Sequence, residues 1–289
     1  MKANHSCMRQ LSMAAASTVL LASGAPQRER PVAGDAPAPR ELRVCADPNN
    51  LPFTNRKGEG FENRIAELIA QDMHARLRYF WWAQRRGFFR NTLGASACDV
   101  VMGVPSRDFD MARPTQPYYR STYVFVTRRD RNLRITSLND AALRRLRIGV
   151  HLIGNDYMNT PPAHALSNRG IVSNVHGYTV YGDYSQPNPP ARILEALARD
   201  EIDVAIVWGP LAGYFASREG TPLVIAPVTP LVEPPGIPLA YSISLGVRKG
   251  ADTLRAQLDR VLVHRRAAID RILDSYHVPR LPLEPAPPP

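Results

Sequence analysis

The sequence predicts an α/β protein of two lobes, each built on a parallel or mixed sheet flanked by helices and joined by a two-strand hinge. Short apolar runs alternate with amphipathic stretches between residues 42 and 105, and the same order recurs between residues 146 and 208. Such alternation is typical of parallel sheets with crossover helices. Two further strand-like segments, 118–127 and 239–247, stand outside it, and we expect them to connect the lobes.

The individual elements follow from hydrophobic periodicity and from the residues that interrupt it. The chain from Asp47 to Asn55 is a polar loop, and a turn bracketed by Gly58 and Gly60 leads into a helix near Phe61. We predict strands at 42–46, 77–82, 98–105, 118–127, 146–150, 176–180, 202–208 and 239–247. We predict the later helices at 86–94, 163–169, 190–199 and 253–276, the last as one long amphipathic helix.

The two ends of the chain differ from the rest in composition. A charged start, an apolar stretch at 11–21 and small residues up to Ala25 predict a cleavable signal peptide over residues 1–25, so export is expected. The Pro-rich segments 26–40 and 279–289 are predicted to be disordered. Between them, lobe 1 is predicted to comprise residues 41–122 and 245–278, and lobe 2 residues 123–244.

Removal of the signal leaves two cysteines, Cys45 and Cys98, near the ends of two predicted strands. An even pair in an exported protein favours a disulfide, and the alternative is two buried free thiols. The bond requires the Cα atoms to lie within about 7 Å.

Charge and motifs exclude several function classes. The net charge is +10, but the arginines are spread along the chain, which favours a solvated basic face or an acidic protein partner over nucleic acid. The glycines at 58 and 60 form only part of a dinucleotide-binding motif, because Asn63 stands where its last glycine belongs. The histidines lack metal-ligand spacing. We therefore expect no cofactor, no metal site and no catalytic residue.

Several long strings resemble a known family: ADPNNLPFTNRKGEGFENRIAEL, CDVVMGV, QPYYRSTYVFVTR and IDVAIVWG follow the order of the family 3 extracellular solute-binding proteins over residues 42–276. WWAQRRGFFRNTL and YGDYSQPNPPARI are similar to its quinoprotein-dehydrogenase-associated branch, which accompanies periplasmic methanol dehydrogenases. The resemblance implies a type II periplasmic-binding-protein fold, a periplasmic location, and a pyrroloquinoline-quinone (PQQ)-dependent alcohol dehydrogenase as partner.

The chain departs from the family's amino-acid receptors at the groups that hold a ligand. In those receptors an Arg before the PYY strand holds the ligand carboxylate, and here Arg107 is the nearest candidate. The second-lobe strand that ends near a carboxylate in those receptors ends here in Trp208. A free amino acid is therefore a poor fit, and an aromatic cleft suits an extended partner segment or a larger apolar surface.

We expect the cleft to be formed by residues at strand ends, in the hinge and in the Trp- and Arg-rich segment. These are Asp47, Asn49, Phe53, Glu62, Trp81, Trp82, Arg85, Arg86, Pro105, Tyr118, Tyr119, Arg120, Gly154, Asn155, Asp156 and Trp208. For Glu62 the alternative is a first-turn residue that bonds loop amides near the helix dipole. Trp81 and Trp82 point to opposite faces of a strand, so one can be core while the other faces the cleft or solvent. For this segment the alternative is a packed aromatic ring plus a solvated pair, Arg85 and Arg86.

Two other functions remain open at this point. One is a receptor that delivers a small organic solute to an ABC-type permease, and micromolar binding of a small ligand would distinguish it. The other is an enzyme on the same scaffold that uses Glu62 or Asp47, which would need a perturbed carboxylate beside a second polar group.

Overall fold

The computed structural model describes residues 40–153, 159–180 and 186–283. The predicted signal peptide, residues 26–39 of the predicted leader, and residues 284–289 lie outside this part of the chain. Its α-helices are α1 Phe61–Asp72, α2 Phe88–Asn91, α3 Pro161–Asn168, α4 Arg192–Ala198, α5 Gly209–Ala216, α6 Asp252–His264 and α7 Arg266–Ser275. Short 3-10 helices span Arg129–Arg131, Ala141–Arg144 and Pro189–Ala191.

The strands are mostly short, with two long ones that lie centrally in the sheet. They are β1 Glu41–Ala46, β2 Asn49–Asn50, β3 Thr54–Asn55, β4 Arg76–Trp81, β5 Val100–Pro105, β6 Arg113–Pro114, β7 Tyr119–Arg128, β8 Ile148–Leu152, β9 Val175–Thr179, β10 Val204–Trp208, β11 Leu223–Pro227, β12 Val232–Glu233, β13 Ile237–Pro238 and β14 Ala240–Val247. The main sheet runs in the order β4-β1-β5-β14-β7-β10-β8-β9.

The long strands β7 and β14 join the two lobes. β14 pairs with β5 from Ile243 onward and with β7 over Ala240–Ile243. β7 pairs with β10 over Tyr123–Thr127. All these contacts are antiparallel, whereas β1 with its neighbours and β8 with its neighbours are parallel. This arrangement confirms the predicted mixed α/β architecture and the two-strand hinge. The hinge strands β7 and β14 link the two halves into one continuous series of paired strands.

Each lobe has its own apolar cores, because helices pack against its half of the sheet. α1, α6 and α7 bury Phe61, Ile65, Leu258 and Ile269 against the first half. On the second half, one core lies under α4 and α5 and another under α3. Burial of large apolar side chains at these positions supplies the main driving force for folding.

Several predicted elements require correction. The closing helix is divided at Arg265, which ends α6 with a non-helical ψ of 11° and donates from its side chain to Asp72 at the end of α1. The predicted helix 86–94 is only the four residues of α2. Neither α5 nor β11 was predicted. α5 follows β10 directly, and its Gly213 leaves room for the carbonyl of His277.

The chain after α7 also differs from the prediction. Residues 279–281, predicted as the start of a disordered tail, lie along β7: Ser121 Oγ donates to the Pro279 carbonyl at 2.6 Å, and the Leu281 amide donates to the Arg120 carbonyl at 2.9 Å. Proline content alone predicts disorder here, but it cannot predict these hydrogen bonds, because they depend on the position of β7. In contrast, the predicted disulfide is present between Cys45 and Cys98, with Cα atoms 5.5 Å apart.

Candidate functional site

The site is built on the loop between β1 and α1. The first amides of α1, those of Phe61 and Glu62, donate to the carbonyls of Pro52 and Phe53 at 2.8 and 3.0 Å. A Cβ at Gly60 would lie 1.9 Å from the Phe53 carbonyl oxygen, so only glycine permits this approach. The loop is therefore locked onto the start of the helix, and Glu62 enters at a defined position.

Two polar side chains hold this loop. Asn63 Oδ1 accepts from the amides of Asn55 and Gly60 at 3.0 and 3.1 Å. Asp47 accepts from the amides of Asn49 and Gln84 at 2.8 and 2.6 Å. The loop amides that we considered as partners for Glu62 are thus bonded by Asn63, and Asp47 is a buried structural group at the rim.

A central cavity of about 210 Å³ lies between the two lobes. Loop, hinge and strand-end residues from both lobes contribute to its wall. The lining residues are Asn50, Phe53, Glu62, Gln84, Met102, Gly103, Tyr119, Tyr123, His151, Ile153, Thr160, Val180, Trp208, Leu211 and Ile243. Of the predicted site residues, the fold brings Phe53, Glu62, Tyr119 and Trp208 together here.

Aromatic rings form much of this wall. Trp208 lies 5.4 Å from Tyr123 and 5.8 Å from Tyr241 between ring centroids, both in edge-to-face geometry. These edge-to-face contacts hold the rings against one another, so the cavity has a preformed aromatic wall.

Glu62 is the buried acid of the cavity. It is 6% exposed, and its Oε1 accepts from the Tyr118 hydroxyl at 3.3 Å. Burial raises the pKa of Glu62 to about 8, against a smaller lowering by the Tyr118 hydrogen bond. The carboxyl group is therefore protonated at neutral pH and is able to donate a hydrogen bond.

His151 contributes a second neutral group from β8. Its Nε2 lies 3.2 Å from the Pro190 carbonyl, and burial lowers the pKa of His151 to about 4. Hydrogen bonding to the Pro190 carbonyl opposes that shift without reversing it. At neutral pH both Glu62 and His151 are thus uncharged, and no arginine, lysine or aspartate lines the cavity in the described part of the chain.

Other predicted site residues surround the cavity without lining it. Asn49 lies at the rim, where its side-chain amide donates to the Gln186 carbonyl of the other lobe at 2.9 Å. Tyr118 lies behind Glu62. Pro105 and Arg120 lie on β5 and β7, opposite Ile243 and Ser242 of β14. Gly154, Asn155 and Asp156 fall outside the described residues.

The Trp- and Arg-rich segment lies at the outer edge of the first lobe. Trp81 ends β4, the edge strand of the sheet, and stacks on Tyr79 at 4.6 Å, whereas Trp82 is 42% exposed beside Phe80. Arg85 and Arg86 follow on an exposed turn. The division into one packed and one solvated tryptophan agrees with the alternation of a strand.

Sequence reasoning missed most of the apolar lining. The amides of Asn50, in the loop after β1, and Gln84, in the Trp- and Arg-rich segment, belong to segments that the sequence did single out, and their side chains bond each other at 3.1 Å. Sequence reasoning treated His151 as an isolated histidine. A usable signal existed for His151, since it stands at the carboxyl end of a predicted strand, where ligands of α/β folds bind. Arg107, considered for a ligand carboxylate, instead lines a shallow depression with Asp108 and Lys249.

The described residues contain no group of three His, Cys, Asp or Glu able to hold a metal ion. None of the helices in the same part of the chain is long and apolar enough to cross a bilayer. The site is thus a largely aromatic cavity whose two buried titratable groups are neutral near pH 7.

Comparison with known proteins identifies relatives of the whole fold. No protein-family model matches the chain. The chain is 30% identical to protein MoxJ of Paracoccus denitrificans, across 95% of this chain and 98% of the relative. It is also 30% identical to protein MoxJ of Methylorubrum extorquens strain AM1, with 84% and 82% covered.

Solved structures agree with these relatives. Periplasmic binding protein XoxJ from Methylobacterium extorquens AM1 is 37% identical, with a TM-score of 0.68 over 84% of this chain and 100% of that one. MxaJ from Methlophaga aminisulfidivorans MPT, at 23% identity and a TM-score of 0.70 over 83% of this chain and 100% of that one, shares the fold. The chain belongs to the MoxJ family of periplasmic binding proteins, within the bilobal family 3 solute-binding fold.

Proposed function

We propose that this protein is a periplasmic accessory of a PQQ-dependent methanol or alcohol dehydrogenase, and that it binds a partner segment or a ligand in the central cavity without chemical conversion. The observation that carries the proposal is the aromatic lining of the interlobe cavity, which is neutral among the described residues, in a member of the MoxJ family. An amino-acid receptor would need fixed charges for the ammonium and carboxylate groups of its ligand.

The cavity groups favour binding over catalysis. An acid–base enzyme needs a proton donor and an acceptor arranged around a reacting atom. Here Glu62 accepts from Tyr118, His151 is neutral and bonded to a backbone carbonyl, and Asp47 holds two loop amides. His151 and Asp47 are thus engaged in the fold, and Glu62 remains a hydrogen-bond donor without either of them as a paired proton acceptor.

Capture from a periplasmic extract tests the proposal. The mature chain, tagged at its C-terminus, is expressed in its own host grown on methanol, and proteins that co-purify are identified by mass spectrometry. We expect a PQQ-dependent dehydrogenase in the eluate and a weaker yield with Trp208→Ala, which removes a cavity wall. An exposed change of the same kind, Trp82→Ala, is the control. An eluate without any dehydrogenase would refute the partnership.

A further inference from the structure

The described residues of the central cavity present hydrogen-bonding groups but no fixed charge. Its titratable lining residues, among those described, are Glu62, His151, Tyr119 and Tyr123. The Tyr119 hydroxyl is neutral near pH 7, because burial raises the pKa of Tyr119 well above its usual value. A charged guest would have to give up its hydration shell without gaining a counter-ion here, which is strongly unfavourable.

Glu62 is held so that its carboxyl group lies against β5. Gly103 has a φ of +69°, and a Cβ there would lie 2.5 Å from Glu62 Oε1. The titratable groups that face Glu62 are Tyr118, just before β7, Tyr119 of β7 and Tyr79 of β4. None of these is a cation, so the Tyr118 hydrogen bond is the only stabilisation of the ionised carboxylate among these groups, and burial outweighs it.

We propose that the cavity selects a small uncharged guest with an apolar ring or chain, and that Glu62 determines this selection by donating a hydrogen bond from its protonated carboxyl group to a carbonyl or ether oxygen of the guest. The inference rests on the proposed function, because it names the class of ligand that the binding protein holds. It excludes free amino acids, carboxylates and amines as guests.

The size of the cavity is sufficient for a guest of about one ring. An apolar protein cavity of about 150 Å³ holds benzene. The cavity here, at about 210 Å³, therefore has room for one ring with a short polar substituent. The rings of Phe53, Tyr119 and Trp208 provide flat apolar surface for such a guest, and the oxygen of its substituent would lie toward Glu62.

A matched set of probes tests the selection on the purified mature chain. Acetophenone, benzoate and benzylammonium share a single ring but are neutral, negative and positive. Calorimetry and ligand-observed NMR at pH 6.5 are expected to show saturable binding of acetophenone and at least about tenfold weaker binding of both ions, the effect of one unpaired buried charge or lost hydrogen bond. Equal or tighter binding of either ion, or no saturable binding of acetophenone, would overturn the proposal.

The pH dependence assigns the effect to Glu62. Raising the pH from 6.5 to 9.5 ionises the carboxyl group, and acetophenone binding by the wild-type chain should weaken about tenfold because the donor is lost. Glu62→Gln keeps a donor at every pH, so its binding should stay within about twofold. Glu67→Gln, on the exposed side of α1, should follow the wild type. A flat wild-type profile, or an E62Q profile as steep as that of the wild type, would overturn the role of Glu62.

These measurements use only the isolated chain, so they fail independently of the dehydrogenase partnership. Acetophenone binding without capture of a dehydrogenase would support the ligand class and refute the partner. Capture without acetophenone binding would do the reverse. Circular dichroism of each variant at both pH values establishes that a change in binding is not a loss of the fold.

Discussion

The buried carboxyl group of Glu62 makes a quantitative prediction about stability. Its pKa is about 8 in the folded protein and 4.5 in the unfolded chain, so between these values the folded state binds one proton more. The free energy of unfolding should therefore fall as the pH rises through this window, by about 1.4 kcal/mol per pH unit. Stability from this group is fully present below pH 4.5 and is lost above pH 8.

His151 acts in the opposite direction over part of the same range. Its folded pKa of about 4 lies below the ordinary value of 6.5, so its contribution rises with pH up to about 6.5 and is constant above that. The interval from pH 6.5 to pH 9 is therefore the one that reports on Glu62. Over this interval the wild-type protein should lose about 2 kcal/mol through Glu62.

Urea unfolding followed by circular dichroism, at half-unit steps from pH 6.5 to pH 9, measures this loss. In Glu62→Gln the amide does not titrate, so the variant's decline should be smaller by about 2 kcal/mol. The control is Glu67→Gln, the same change at a side chain of α1 that is 42% exposed, which should decline as the wild type does. Parallel curves for wild type and E62Q would refute the claim that Glu62 is protonated in the fold.

Three further predictions concern other groups. His151→Gln should remove a rise in unfolding free energy of about 3 kcal/mol between pH 4 and pH 6.5, because the histidine is neutral when folded and protonated when unfolded; an unchanged slope in urea titrations would contradict this. Glu233→Gln should cost about 2–3 kcal/mol at pH 7, because it removes the charge beside Arg169 Nη2, 2.9 Å away, while Arg169 keeps its bonds to Asn139 and the Ala165 carbonyl. A loss below about 1 kcal/mol in chemical denaturation would speak against a strong ion pair. Replacing Cys45 and Cys98 together by serine should cost about 4 kcal/mol of unfolding free energy, the loop-closure entropy for a separation of 53 residues. Dithiothreitol should lower the thermal midpoint of the wild type and leave that of the variant unchanged.

Much of the fold was predictable because the pattern of buried and exposed residues within each element is visible in the local sequence. The strand at β1, the loop after it and the start of α1 follow from apolar runs and from Gly58 and Gly60. The disulfide followed from having two cysteines near the ends of predicted strands. The division of the last helix at Arg265 did not follow, because the apolar stripe continues through both helices and the break depends on contacts with Asp72.

The candidate site was predicted only in part. Phe53, Glu62, Tyr119 and Trp208 were expected in the cleft and do line the cavity. Trp82, expected beside them, is instead exposed next to the end of the edge strand β4, although Gln84 two residues later lines the cavity. Strand alternation states which face a side chain takes, but it does not state which strand is at the edge of the sheet or how far that edge lies from the hinge.

By itself the sequence determined the α/β class, the two-strand hinge and the cysteine pair, since these depend on local periodicity and on residue type. Tertiary structure alone decided the charge state of the site. Glu62 is a first-turn glutamate in the sequence, where a helix dipole favours the anion, yet burial between α1 and the hinge strands, with no cation facing it among the described residues, keeps it protonated. Desolvation depends on everything packed around a group, and that information comes from residues far apart in the chain.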